Sequence, residues 1–231
     1  MIKHITFTGI DANTDFERLR YLQYHYPLAE FGVLVSKNWQ EKSPRYLNPE
    51  LLPLLKNYNL NLSIHVCGAV ARSIIKNLDY EPLLSIVGDN ISLFKRMQLN
   101  VSGNSPTLST PNLVPLEGQE LIIQQKNVNN LQIWDSINNH TNMSILLDAS
   151  GGNGIDTPIE IHSNSYIKIG YAGGINPENV HDKLSYILQS HMGDFWIDME
   201  SGVRTNDWLD LDKVKEVLEI SQKVIEDVGN D

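Results

Sequence analysis

Three glycine-rich clusters hold most of the residues whose types and spacing suit chemistry. They read Leu147-Asp148-Ala149-Ser150-Gly151-Gly152-Asn153-Gly154, then Gly170-Tyr171-Ala172-Gly173-Gly174-Ile175-Asn176-Pro177-Glu178, then Asp198-Met199-Glu200-Ser201-Gly202-Val203. Each follows an apolar run. Glycine lets the backbone come close to a ligand, and the N–H groups that open a helix favour an anion. Gly152, Gly173, Gly174, Ser201 and Gly202 are therefore expected to hold a phosphate. Asp148 ends one apolar run and is expected to work as an acid, although it also suits a turn cap. Asp198 ends another; it is expected either to contact substrate or to orient the phosphate loop.

His65 and Cys67 stand two apart at the end of a further apolar run, on one face of a strand. An imidazole titrates near neutrality and a neighbouring thiol can be activated, so the pair suits base chemistry. Read alone, the same residues also suit a hydrogen-bonded core histidine and a small apolar thiol. Arg45, in Ser43-Pro44-Arg45-Tyr46, and Asp11 are further candidates for substrate contact. His65, Asp148 and Asp198 lack any local metal-ligand spacing, so no metal is expected.

Such residues need a frame. Short apolar or β-branched runs predict eight strands: 2–8, 30–36, 61–66, 94–100, 120–126, 143–149, 166–171 and 195–199. Helical patterns lie at 15–24, 49–58, 69–78, 128–138, 177–189 and 211–228. Alternation of this kind implies a mostly parallel α/β sheet. Eight units in 231 residues favour one closed (β/α)8 barrel over an open doubly wound sheet, with successive loops near the C-terminal end of the chain as the phosphate site. Asp15 or Thr14, Asn48 ahead of Pro49, and Asn176 ahead of Pro177 read as helix caps. Residues 101–119, rich in Ser, Asn, Pro and Gly, lack helical period and read as a degenerate fourth βα connection. The stretch 157–164 is too short for a full helix.

Composition bounds the partners. Charged residues make up 20% of the chain and the net charge is −10, which disfavours nucleic acid and acidic membrane surfaces as partners. A phosphorylated small ligand remains compatible, because backbone dipoles bind it locally. The single cysteine allows no intrachain disulfide, which fits a reducing compartment. The opening residues are too polar for a secretory core, and no segment has the ~20 apolar residues of a membrane span. A cytoplasmic monomer or homodimer is expected.

In order and wording the chain resembles phosphoribosylanthranilate isomerase. Thr6-Phe7-Thr8-Gly9 stands where that family has Lys-Ile-Cys-Gly, and Ser43-Pro44-Arg45 matches its second-strand turn. Gln98-Leu99-Asn100 stands for Gln-Leu-His. Leu146-Leu147-Asp148 with Gly151-Gly152-Asn153-Gly154, Gly173 to Val180, and Asp198 with Ser201-Gly202-Val203 match the last three loops. The resemblance implies a cofactor-independent Amadori rearrangement, in which an acid protonates a furanose ring oxygen and a base removes the proton at C2. It assigns the acid to Asp148. The family's base, a cysteine, is replaced by Thr8, whose unassisted hydroxyl is too weak an acid to supply an alkoxide near neutral pH. His65, Cys67 and Asp11 stay open as substitutes, with the first two favoured. The alternative is a non-catalytic barrel that binds a phosphometabolite for sensing or scaffolding.

Overall fold

The computed structural model describes residues 1–38, 40, 42–100, 113, 115–126, 142–162 and 168–229. Its strands are β1 (Ile2–Thr8), β2 (Ala29–Val35), β3 (Leu62–Cys67), β4 (Arg96–Asn100), β5 (Glu120–Gln125), β6 (Met143–Asp148), β7 (Ile169–Ala172) and β8 (Phe195–Met199). They pair in chain order, and β8 returns to β1 to close an eight-stranded barrel. Every neighbouring pair in it is parallel. The closing register sets Thr6 beside Asp198.

Strand alternation divides the side chains between two environments. Phe7, Phe31, Ile64, Leu99, Ile123, Ile145, Tyr171 and Ile197 join the main apolar core, which also takes Val214, Val217 and Leu218 from the last helix. That helix, Leu211–Gly229, buries Val214, Val217, Leu218, Ser221 and Val224, one stripe at helical period. The other strand face has little apolar content, and Ile122, Leu146 and Trp196 form a small separate cluster.

A buried ionic layer lies at the start of the strands. The Arg96 guanidinium meets Glu30 at 2.8 Å and Glu120 at 3.2 Å, and Lys168 meets Glu120 at 2.6 Å. Thr6 and Ser144 donate to Glu30 and Glu120. Arg96 also stacks 4.3 Å from the Trp196 ring centre. Burial pushes the Glu30 carboxyl up, but Arg96, with His4, the Thr6 hydrogen bond and His65, together outweigh it and hold the pKa below the ordinary range.

Departures from the expected elements have local causes. The pattern at 49–58 forms a 3-10 turn, Pro49–Leu51, and one helical turn, Leu52–Leu55, because Pro53 supplies no amide for a longer ladder. The helix expected from Pro177 starts at Val180. Asn176 caps the preceding turn, accepting from the amides of Glu178 and Asn179. A helix at Glu81–Val87 and a small hairpin, Arg204–Thr205 with Trp208–Leu209, had no sequence counterpart. Asp15 caps the first helix as expected. The helix expected at 128–138 lies outside the described residues, as does most of 101–119. β7 is described only from Ile169, three residues later than expected.

The ionic layer makes Arg96 hard to replace. Arg96→Met leaves two buried carboxylates short of a cation and is expected to cost about 3–5 kcal/mol, read by urea unfolding at pH 7.

Candidate functional site

A polar cavity opens at the C-terminal ends of the strands. Its walls come from Thr8 on β1, His65 on β3, Gln98 and Asn100 on β4, Gln124 on β5, Asp148 on β6, Ala172 on β7 and Asp198 on β8, together with the loops that follow β6, β7 and β8. All these strand residues occupy the face opposite the main core.

Asp148 is tied down by its own loop. One carboxyl oxygen accepts from the amide and hydroxyl of Ser150 at 3.1 and 2.6 Å. The other accepts from Gln124 at 2.8 Å and the Gly152 amide at 2.6 Å. The glycine-rich turn thus returns to the strand end it leaves, fixing the carboxyl at the cavity wall.

Gly152, Gly173, Gly174, Ser201 and Gly202 all border this cavity. The loops after β7 and β8 touch so closely that a Cβ on Gly202 would lie 2.0 Å from the Ile175 carbonyl oxygen. Gly174 sits at φ +65°, and a Cβ there would meet the backbone of Asp156 at 2.4 Å. Only glycine allows this packing.

Across the cavity, Asp198 is 5% exposed. The Thr8 hydroxyl donates to its Oδ1 at 2.8 Å and Gln98 donates to its Oδ2 at 3.3 Å. Burial pushes the Asp198 carboxyl up to about 7, opposed by the Thr8 and Gln98 hydrogen bonds and reinforced by the charges of Glu30 and Asp148. His65 lies 3.9 Å from the same carboxyl. Burial lowers its pKa to about 4, with Glu30 and Glu200 pulling upward and Arg96 downward. Its Nδ1 receives Gln98 at 3.0 Å and its Nε2 lies 3.1 Å from the Ser63 hydroxyl. A neutral ring with the proton on Nε2 satisfies both contacts.

Other sequence candidates sit elsewhere. Cys67 does not border the cavity. Its thiol reaches its neighbours' polar atoms at the edge, 3.6 Å from Asn100, and burial with the Glu200 charge pushes it up to about 12. The raised pKa favours the thiol form, and the Cys67 sulfur donates to the His65 backbone carbonyl at 3.7 Å rather than meeting its ring. Asp11 is fully buried away from the cavity. It pairs with Arg204 at 3.2 Å and accepts from the Leu209 amide at 2.6 Å and the Thr14 hydroxyl at 3.0 Å, so it supports the β8 loop and contacts no ligand space. Arg45, also expected at the ligand, donates to Glu200 at 2.7 Å, Asp207 at 2.6 Å and Ser201 at 3.1 Å. Its charge is met by two carboxylates, and it holds the same loop from outside the cavity. The sequence reading passed over Gln98 and Gln124 as site residues; their signal was polar residues at alternate positions of otherwise apolar strands.

Among the described residues no cluster of three metal-ligating side chains occurs, and no helix is long and apolar enough to cross a membrane.

A closed parallel (β/α)8 barrel with its polar cavity at the C-terminal strand ends has the general layout of a barrel enzyme. Residues 103–220, just over half the chain, match a model of the family described as N-(5'phosphoribosyl)anthranilate isomerase. The chain belongs to that family. Comparison with curated protein sequences found no match. Among solved structures, the phosphoribosyl anthranilate isomerase of Thermotoga maritima aligns over 96% of this chain and 100% of its own, at 18% identity and a TM-score of 0.56. The Thermus thermophilus enzyme aligns over 96% and 99%, at 15% identity and 0.59. That of Pyrococcus furiosus aligns over 95% and 98%, at 16% identity and 0.56. At these identities the likeness is one of fold.

The raised pKa of Asp198 has a stability consequence. Between the ordinary aspartate range and about pH 7 the unfolded chain releases this proton and the folded chain keeps it, so stability falls as pH rises through that window. Asp198→Asn removes the effect. The variant is expected to match the wild type near pH 4 and to exceed it by on the order of 4 kcal/mol above pH 7, measured by urea unfolding across pH.

Proposed function

We propose that this chain is an isomerase of the phosphoribosylanthranilate type, an intramolecular oxidoreductase that converts a phosphorylated aminoaldose to the aminoketose by proton transfer alone. One observation carries the reading: in a member of this family, the Asp148 carboxyl and the glycine wall of the β7 and β8 loops border one cavity. Phosphoribosylanthranilate is the proposed substrate. A related isomerase has been solved with reduced 1-(o-carboxyphenylamino)-1-deoxyribulose 5-phosphate, the kind of ligand such a cavity would take.

In this reading the backbone amides around Gly173, Gly174, Ser201 and Gly202 hold the phosphate, with Gly152 on the facing loop. Asp148 gives its proton to the furanose ring oxygen as the C1–O bond breaks, leaving a protonated Schiff base. Loss of the C2 proton then forms the enolamine, which tautomerises to the ketone. Ser150, Gln124 and the Gly152 amide keep the Asp148 carboxyl aimed during both steps. Arg45 and Asp11 act indirectly, by bracing the loop that carries Ser201. The enzyme is placed in the cytoplasm as a monomer or homodimer; one Thermotoga relative is described as dimeric.

Turnover is followed by the loss of substrate fluorescence in purified protein. Asp148→Asn is expected to lower kcat by ~10²–10⁴ while phosphate affinity is kept. No turnover by the wild type, with inorganic phosphate still bound, would make the chain a phosphometabolite-binding barrel instead. The phosphate wall is tested separately: Gly202→Val must push the β7 and β8 loops apart, and is expected to weaken inorganic phosphate binding about tenfold by titration calorimetry. Unchanged affinity would remove the phosphate from that wall.

A further inference from the structure

Resting on the isomerase reading, we infer that Asp198 is the general base that takes the C2 proton, and that Thr8 is the residue that positions it. The geometry removes the other groups in turn. The single proton of the Thr8 hydroxyl is donated to Asp198 at 2.8 Å, so Thr8 serves as a donor. His65 spends its unprotonated Nδ1 on Gln98. Cys67 keeps its proton and lies off the cavity, and Glu200, at the cavity's edge, is held by Arg45 at 2.7 Å. Asp198 remains: it borders the cavity, and it touches the strand end where the family places its cysteine.

Asp198 and Asp148 stand two strands apart, with the small Ala172 between them on β7, and both border the same space. A sugar lying across that gap meets a carboxyl on each side, as an acid and a base acting in sequence require. The charged and titratable groups facing Asp198 are His65 on β3, Glu30 on β2 and Asp148 on β6. Among the described residues no lysine or arginine pairs with it; the neutral Thr8 and Gln98 donors hold its pKa down only in part, and burial brings it into the working range of a base at neutral pH.

The step balances. Once Asp148 has protonated the ring oxygen and the sugar has opened, an Asp198 carboxylate oxygen takes the hydrogen from C2. The C2–H electrons form the C1–C2 double bond, and the C–N π electrons return to nitrogen. The enolamine then takes at C1 the proton held by Asp198 and returns the C2 hydroxyl proton to Asp148, so both carboxyls regain their starting states and the open-chain product is an isomer of the substrate.

The test compares wild type, Asp198→Asn, Thr8→Val and the double variant Thr8→Cys with Asp198→Asn. In the wild type, kcat/KM is expected to rise with a midpoint near pH 7. Asp198→Asn is expected to lose ~10²–10⁴ in kcat while still binding reduced 1-(o-carboxyphenylamino)-1-deoxyribulose 5-phosphate. Thr8→Val removes a hydrogen bond to the carboxylate form, which raises the Asp198 pKa and moves the rising limb to higher pH. The double variant, with a thiol at the position where the family keeps one, is expected to recover at least about tenfold over Asp198→Asn. Wild-type kcat in Asp198→Asn, loss of analogue binding in step with activity, or an unmoved limb in Thr8→Val would each overturn the assignment. A wild type without turnover would fail the isomerase reading itself, and the base with it, before any substitution is compared.

Discussion

The parallel pairing of β8 with β1 is the constraint on which the rest depends. It brings Thr8 and Asp198 within 2.8 Å although 190 residues separate them in the chain. It also removes the open sheet edges, so each strand must send alternate side chains into a closed interior. Eight strands then present their inward residues at common heights, and the chemistry at each height follows from which residues the register brings level.

Two layers of that interior treat buried charge in opposite ways. At the strand starts, Glu30 and Glu120 share Arg96, and Lys168 adds a second cation to Glu120. The carboxylates are paired and hydrogen-bonded, which is the condition for keeping charge away from water. At the strand ends the donors to Asp198 among the described residues are neutral, Thr8 and Gln98. Its carboxylate is costly to form, and the cost appears as a raised pKa. One end of the barrel is arranged to hold charge still, and the other leaves a proton easy to move.

Around the mouth, a second set of ion pairs shapes the loops at the cavity's edge, with Glu200 and Ser201 among its wall residues. Arg45 binds Glu200, Asp207 and Ser201, while Arg204 binds Asp11 and the carbonyls of Gly9 and Asp207. These contacts join the ends of β1 and β2 to the loop after β8. The close approach of that loop to Ile175 then follows from the absence of a side chain at Gly202. The wall proposed for the phosphate is therefore braced from behind by charges that are themselves satisfied.

Much of this was legible along the chain, because much of it is local. Apolar runs of strand length, proline and asparagine at helix starts, and glycine after Asp148, Ala172 and Ser201 reflect backbone geometry within a few residues. They led to eight strands, a closed barrel and a glycine-lined cavity with Asp148 at its wall. The roles of single polar residues depended on partners distant in sequence. Arg45 and Asp11 looked like ligand contacts until the fold supplied Glu200, Asp207 and Arg204 to occupy them. His65 and Cys67 share a face as their spacing required, yet burial took the histidine's proton and left the thiol with its own. Asp198 read as a residue that either contacts substrate or orients the phosphate loop, with nothing along the chain to choose between them. Only closure of the barrel withheld a cation from it and placed Thr8 beside it, because desolvation and long-range contact belong to the folded chain and leave no periodic mark in the sequence.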